Sequence, residues 1–214
     1  MNEYIERIFN GILTGKRPEV LEGIEAALGA NVPIPRIINE GMIAAMAEVG
    51  NRFENGQYFV PEMLVAARAM QAGMNALKPH ISEGDIKAAG TVVIGTVAGD
   101  LHDIGKNLVS VMLEGAGFTI VDLGTDVPAA RFVEAVSEHK PDIIAMSALL
   151  TTTMTNLKTV IDSLGASGVR GDVKVLVGGA PVTQEYCDAI GADGYSADAA
   201  SAAELAKRLV AAMD

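Results

Sequence analysis

The stretch Gly99-Asp100-Leu101-His102-Asp103-Ile104-Gly105-Lys106-Asn107 places an imidazole two residues from a carboxylate, between two glycines. An imidazole beside a carboxylate can give one ring hydrogen to that partner and turn its other nitrogen toward a metal. The partner then fixes the tautomer and raises the basicity of the ligating nitrogen. The pattern offers a metal site with one protein ligand. Zinc needs three or four, and His80, His139 and Cys187 all lie at spacings that do not suggest joining His102. A metal held at this loop takes most of its coordination from a macrocycle. Read alone, the same residues also allow a plainer account: a solvated or capping His102, an Asp100 that caps the next helix, and glycines that only turn the chain.

Glycines around a strand-to-helix turn also raise the question of phosphate. From Gly99 to Gly105 there is one residue too many for a Walker loop, Asn107 stands where a Mg²⁺-binding Ser or Thr belongs, and the loop holds no GxGxxG. Nucleotide hydrolysis and NAD binding are disfavoured. A receiver domain wants a carboxylate at the end of its third strand, where this chain has Ser147.

Two kinds of element must position this loop. Up to about residue 78 the apolar residues recur at helical spacing, in Tyr4, Ile5, Ile8, Phe9, Ile12 and Leu13 and again in Val20, Leu21, Ile24 and Leu28. A third helix is predicted to start near Pro35 and bury Ile38, Met42, Met46 and Val49. A fourth is predicted to start at Pro61, bury Leu64, Ala67, Met70, Met74 and Leu77, and stop at Pro79. Between them Asn51 to Val60 holds three of the chain's nine Phe and Tyr residues beside an Asn55-Gly56 turn, and is expected to be a functional loop.

After a polar linker from Pro79 to Gly90, short apolar runs alternate with helical segments. Strands are predicted at Thr91 to Val97, Phe118 to Leu123, Asp142 to Ser147 and Val173 to Val177, with a weak fifth near Ala192 to Tyr195. Helices are predicted at Ile104 to Glu114, Ala129 to Glu138, Met154 to Leu164, Gln184 to Ile190 and Ser201 to Met213. Strict alternation gives an α/β fold with a five-stranded parallel sheet in flavodoxin-like winding, and ligands then sit beyond the carboxyl ends of the strands. Three such ends stand out: Gly99 to Asn107, Ser147 to Thr153, and Gly178-Gly179-Ala180-Pro181.

A net charge of −11 and a pI near 4.7 repel phosphate backbones and anionic lipid, so neither nucleic acid nor membrane is an expected partner. With one cysteine, no apolar span and no basic leader, a cytoplasmic setting is expected.

Asp100-x-His102-x-x-Gly105, then Ser147-x-Leu149, then Gly178-Gly179, resembles the signature of cobalamin-binding domains that hold the cofactor with its lower base displaced. Gly56-Gln57-Tyr58-Phe59-Val60-Pro61-Glu62 resembles the loop of the helical cap preceding such domains in methionine synthase and in corrinoid proteins of methyltransferase systems. The resemblance implies a four-helix cap over residues 1–88 and a cobalamin-binding α/β domain over 89–214. It implies His102 as lower axial ligand of cobalt, base-off and His-on, with Asp100 and Thr153 managing its proton. Asp103, Ile104, Gly105 and Leu149 would line the cofactor. Ser147 and Thr151 would bond its detached nucleotide tail, Gly178 and Gly179 would leave room for that tail, and Phe53 and Val60 would cover the upper face. This sequence has Thr153 and Val60 where methionine synthases carry Ser and Leu.

The function implied is a methyl carrier, with methylcobalamin as the loaded state. A substrate-specific corrinoid methyltransferase would load it, a second methyltransferase would pass the methyl to tetrahydrofolate or coenzyme M, and a reductive activase would restore it. Turnover of a substrate by the chain alone is not expected. There are two rivals, of which the mutase subunit shares the Asp-x-His-x-x-Gly loop. The cobalamin subunit of an adenosylcobalamin mutase normally lacks the helical cap, and a cobalamin sensor is usually fused to a DNA-binding domain.

Overall fold

A strict spacing of four recurs through the middle of the helical half, where Ile37 and Ile38, Gly41 and Met42, Ala45 and Met46, and Val49 and Gly50 are all buried. On a 3.6-residue helix such a stripe drifts by about 40° at each step. The computed structural model, which describes residues 2–81 and 88–213, resolves the conflict by winding more slowly. A short α3 (Ile34–Arg36) passes into a π-helical segment (Ile37–Ile43), which continues as α4 (Ala44–Glu54). Its i→i+5 turns oppose the drift and keep the four-residue stripe on the core.

The chain divides into two compact units, Met1–Lys87 and Ala88–Asp214. In the first, α1 (Glu3–Leu13) is capped by Asn2, whose side chain accepts the Tyr4 N–H at 2.9 Å, and α2 (Arg17–Gly29) carries Pro18 in its first turn. Ile5, Ile8, Ile12, Val20 and Ala27 are fully buried, with α1 packed on α2 and on the π-helical stretch. Each large apolar side chain buried in this way contributes about 1.5–3 kcal/mol.

The last helix of this unit, α5 (Val60–Leu77), corrects two expectations. Its buried face is Met63, Ala66, Ala69, Met70, Gly73 and Leu77, while Leu64, Ala67 and Met74 stay partly exposed. Close approach selects the smaller stripe: a Cβ at Gly73 would lie 2.9–3.0 Å from side-chain atoms of Met42, Ile24 and Val20. The predicted loop from Asn51 to Val60 is also shorter than expected. Residues up to Glu54 are helical and Val60 opens α5, so Phe53 projects from a helix. Of the predicted linker, residues 82–87 lie outside the described residues.

In the second unit the predicted alternation is realised. The order is β1 (Thr91–Thr96), α6 (Ile104–Gly115), β2 (Thr119–Asp122), α7 (Ala129–His139), β3 (Ile143–Ser147), α8 (Thr155–Ala166), β4 (Lys174–Gly178), α9 (Gln184–Ile190), β5 (Gly194–Tyr195) and α10 (Ala199–Ala211). The strands pair in parallel in the order β2-β1-β3-β4-β5, the flavodoxin-like winding. Strand alternation splits the sheet into two faces. Val93, Val97, Ile144, Met146, Val175 and Val177 pack with Phe132, Leu157, Ile161 and Leu164 of α7 and α8. The opposite face, on which α6 meets β1 and α10 meets β4, carries Val92, Ile94, Ala145 and Leu176. Register aligns Thr96 with Ser147 and Ser147 with Gly178, so that face ends at the carboxyl edge in a row of three small residues. Among the described residues no helix is long and apolar enough to cross a membrane.

Candidate functional site

Where β1 leaves the sheet, Gly99 takes a left-handed φ of +78° and turns Asp100 inward. The Asp100 side chain is fully buried, and five donors converge on its two oxygens. Oδ1 accepts His102 Nδ1 at 2.7 Å and the His102 backbone N–H at 3.1 Å. Oδ2 accepts the Leu149 N–H at 2.7 Å, the Leu150 N–H at 3.3 Å and the Thr153 hydroxyl at 2.7 Å. Burial alone would push this carboxyl up. The Thr153 hydroxyl, the Leu149 N–H and the ring and backbone of His102 outweigh it and hold Asp100 well below the usual carboxylate range. A carboxylate so held leaves the hydrogen on His102 Nδ1, and the lone pair is then on Nε2. Nε2 has no hydrogen-bond partner among the described residues, and the His102 side chain is 52% exposed.

The surroundings of His102 are apolar and open. Leu101 is 72% and Ile104 77% exposed, and Leu149 and Leu150 are exposed as well. Among the described residues Gly105, in the first turn of α6, has no atom within 4 Å of where a Cβ would sit, so their packing does not demand glycine there. Asp103 is exposed and accepts the Asn107 side-chain amide at 3.1 Å. Behind this turn Lys106 is buried, its ammonium 2.5 Å from Asp122 and 2.8 Å from the Asn107 side-chain oxygen. A cation in a first helical turn opposes the helix dipole, and Asp122 offsets that charge.

The predicted residues separate into groups. The structure brings Asp100, His102 and Thr153 into one hydrogen-bonded set, with Leu149 joined through its main chain. Ser147 and Gly178 are register neighbours, and Thr151 lies exposed on the turn that follows β3. The two glycines differ in kind. A Cβ at Gly179, whose φ is +124°, would lie 1.9 Å from the Ala148 carbonyl oxygen, so the chain itself requires glycine. Among the described residues a Cβ at Gly178 would meet only the Ser196 carbonyl oxygen, at 3.8 Å. Phe53 and Val60 belong to the first unit, where Phe53 is half-buried and Val60 is exposed. The turn between them is fixed by Tyr58, which donates to the Leu13 carbonyl at 3.0 Å and accepts Arg52 Nη1 at 3.2 Å, and by the Phe59 N–H donating to Glu62 at 3.0 Å.

Three residues not foreseen from the sequence also hold the His102 loop. The Thr96 hydroxyl donates to the His102 carbonyl at 2.9 Å, and the Asn156 side-chain amide donates to the Ala98 carbonyl at 2.7 Å. Asp126 accepts the Gly99 N–H at 2.7 Å, and its own N–H donates to the Asp100 carbonyl at 2.9 Å. Thr96 was legible as a polar residue inside an apolar strand; the other two leave no local pattern. Among the described residues no three His, Cys, Asp or Glu side chains gather to hold a metal.

Residues 90–204 match the B12 binding domain, and residues 4–78 match a second family described as a B12 binding domain. The chain belongs to the family of B12-binding domain proteins. Within it the similarity is to corrinoid proteins. Dimethylamine corrinoid protein 1 of Methanosarcina acetivorans is 45% identical over 210 residues, 98% of each chain. Trimethylamine corrinoid protein 1 of the same organism is 50% identical over 180 residues, 83% of each chain. Among solved structures, the methanol:cobalamin methyltransferase complex MtaBC of Methanosarcina barkeri matches with a TM-score of 0.88 and 35% identity, over 98% of this chain and 80% of that one. A cobalamin-binding protein from Desulfitobacterium hafniense matches with a TM-score of 0.81 and 33% identity, over 96% of this chain and 98% of that one.

Proposed function

We propose that this corrinoid protein carries a methyl group on cobalamin between two methyltransferases, holding the cofactor with its lower base displaced and His102 as the protein ligand of cobalt. The observation that carries the reading is the exposed imidazole whose Nδ1 is tied at 2.7 Å to a buried carboxylate, with Nε2 left unpartnered among the described residues. The residues fit the group. One nitrogen donor in an apolar, open setting suits a metal whose other ligands come from a macrocycle, and the free space at Gly105 and Gly178 leaves room for a large ligand.

When bound, cobalamin supplies a nucleophilic cobalt that takes up a methyl group and gives it up again. The chain's residues hold and shield it. Asp100 keeps the ring hydrogen of His102 on Nδ1, and Thr153, donating to Asp100 Oδ2, stops that carboxylate from turning away. Ser147 and Thr151 offer hydroxyls to the detached nucleotide tail, and Gly178 leaves the row Thr96-Ser147-Gly178 without a side chain at its end. Asp103, Ile104, Gly105 and Leu149 flank the ligand loop, and the first unit offers Phe53 and Val60 as apolar side chains that would shield the cofactor from water.

The similarity to dimethylamine and trimethylamine corrinoid proteins favours a methylated amine as the donor handled by the loading methyltransferase. Transfer onward to tetrahydrofolate or coenzyme M by a second methyltransferase, and rescue by a reductive activase, complete the proposal. The match over residues 4–78 favours the carrier over the mutase subunit, which normally lacks a helical cap. The test is to load the protein with cobalamin, reduce it, and follow its absorption spectrum with dimethylamine or trimethylamine. Methylation is expected only when the cognate methyltransferase is added; methylation by the protein alone at an enzymatic rate would replace the carrier with a self-contained methyltransferase.

A further inference from the structure

We propose that Asp126, on the loop between β2 and α7, is a positioning residue that aims the Asp100 carboxylate and through it the His102 imidazole. The inference rests on the reading that His102 ligates cobalt. Asp126 has a φ of +54°, a left-handed backbone that residues other than glycine rarely adopt and that Asp tolerates better than most. That conformation turns its N–H and its carboxylate toward one neighbour. The N–H donates to the Asp100 carbonyl at 2.9 Å and the carboxylate accepts the Gly99 N–H at 2.7 Å. The Asp100 carbonyl and the N–H of the preceding residue, Gly99, are thus both held by one residue, 26 positions from Asp100.

The division of labour singles out Asp126. Among the described residues every hydrogen bond to the Asp100 side chain comes from His102 or from the turn Leu149 to Thr153. The main chain that sets the direction of its Cα–Cβ bond is held instead by Asp126, with the Asp100 N–H closing a tight turn onto the Val97 carbonyl at 3.1 Å. Gly99 is the joint between them. It has positive φ and, among the described residues, only the Thr153 methyl near where a Cβ would sit, at 3.7 Å, so once its N–H is released the Ala98–Gly99 peptide keeps only the Asn156 bond to the Ala98 carbonyl. A freed Gly99 lets Asp100 pivot, and the carboxylate must then choose between its donors on the Leu149 turn and the imidazole.

The test compares wild type with Asp126→Asn, Asp126→Ala and Asp126→Gly, each loaded with cobalamin. Three quantities are read: the axial-nitrogen splitting in the electron spin resonance of the Co(II) form, the cobalamin dissociation constant, and the melting temperature without cofactor. Asn keeps an acceptor oxygen and tolerates the left-handed backbone, so it should match wild type. Ala and Gly should lose much of the nitrogen-coordinated fraction and bind cobalamin about threefold to tenfold more weakly, below the ten- to hundredfold loss typical of a ligand's direct partner. Glycine accepts the left-handed backbone freely, so a Gly variant that melts like wild type yet loses nitrogen coordination separates positioning from folding. If Ala fails to fold, Gly decides alone. Wild-type splitting in both Ala and Gly would overturn the proposal, whereas absence of a histidine nitrogen in the wild type would overturn the ligation reading and this inference with it.

Discussion

Replacing Asp100 with Asn removes one acceptor oxygen and almost no volume, which makes it a sharp probe of the ligand loop. Five donors share the two carboxylate oxygens, and an amide has one oxygen and one NH₂. If the amide oxygen keeps the Leu149, Leu150 and Thr153 donors, the NH₂ faces His102. The imidazole must then accept at Nδ1 and carry its hydrogen on Nε2, which leaves no lone pair for a metal. If the amide turns round, the Thr153 hydroxyl and the Leu149 N–H face an NH₂ instead, at about 1–3 kcal/mol for each buried donor left unsatisfied. The first orientation satisfies more donors, so the expected effect falls on ligation. Loss of an outer-shell partner lowers metal affinity by about 10- to 100-fold, which is about 1.4–2.8 kcal/mol. The assay is a titration of the variant with cobalamin by absorption, with the Co(II) spin-resonance spectrum recorded at saturation. Wild-type affinity together with wild-type axial-nitrogen splitting in Asp100→Asn would refute the tautomer argument.

Other consequences are open to measurement. Asp100 is held below the usual carboxylate range, so the stability it contributes is full above the unfolded-state value of about 3.9 and is lost as pH falls toward the lower folded-state value. The difference in urea stability between wild type and Asp100→Asn should therefore be flat from neutral pH to about pH 5 and narrow below about pH 4; a difference that vanished by pH 5 would contradict the assigned donors. The two glycines should part company. Gly179→Ala forces a Cβ to 1.9 Å from the Ala148 oxygen and should sharply lower the melting temperature. Gly178→Ala should leave apo stability within about 0.5 kcal/mol and weaken cobalamin binding; unchanged binding would remove the nucleotide tail from that position. Phe53→Ala should speed photolysis of bound methylcobalamin, and unchanged photolysis at unchanged occupancy would make Phe53 a packing residue only.

The sheet unit was legible because β1, β2 and β4 are branched-aliphatic runs cut off by glycine, and because the α9 span Gln184–Ile190 sits between Thr183, whose hydroxyl accepts the Tyr186 N–H at 3.2 Å, and Gly191, whose φ is +75°. The pair Asp100 and His102 was legible from its spacing, whereas Thr153 joined it only through a resemblance, since it lies 53 positions from Asp100. Elsewhere the sequence lacked the information. In α5, alanines and a glycine occupy the stripe beside Leu64 and Met74, and hydropathy favours the larger residues although the packing with Met42 and Ile24 needs the smaller. Phe53 read as a loop residue because Asn51, Arg52 and Glu54 break the apolar stripe, yet the helix runs on to Glu54 and ends at the Asn55-Gly56 turn. Asp126 and Asn156 bind main-chain groups 27 and 58 residues away, so no spacing betrays them.

The central claim, that cobalamin is held with its own base displaced and His102 on the metal, has one direct test. Protein grown with histidine carrying the heavy nitrogen isotope is loaded with unlabelled cobalamin, reduced to Co(II), and compared by electron spin resonance with unlabelled protein. The heavy isotope has a nuclear spin of one-half, so the axial-nitrogen triplets should become doublets. Triplets that persist would assign the axial nitrogen to the cofactor's own base and contradict the account.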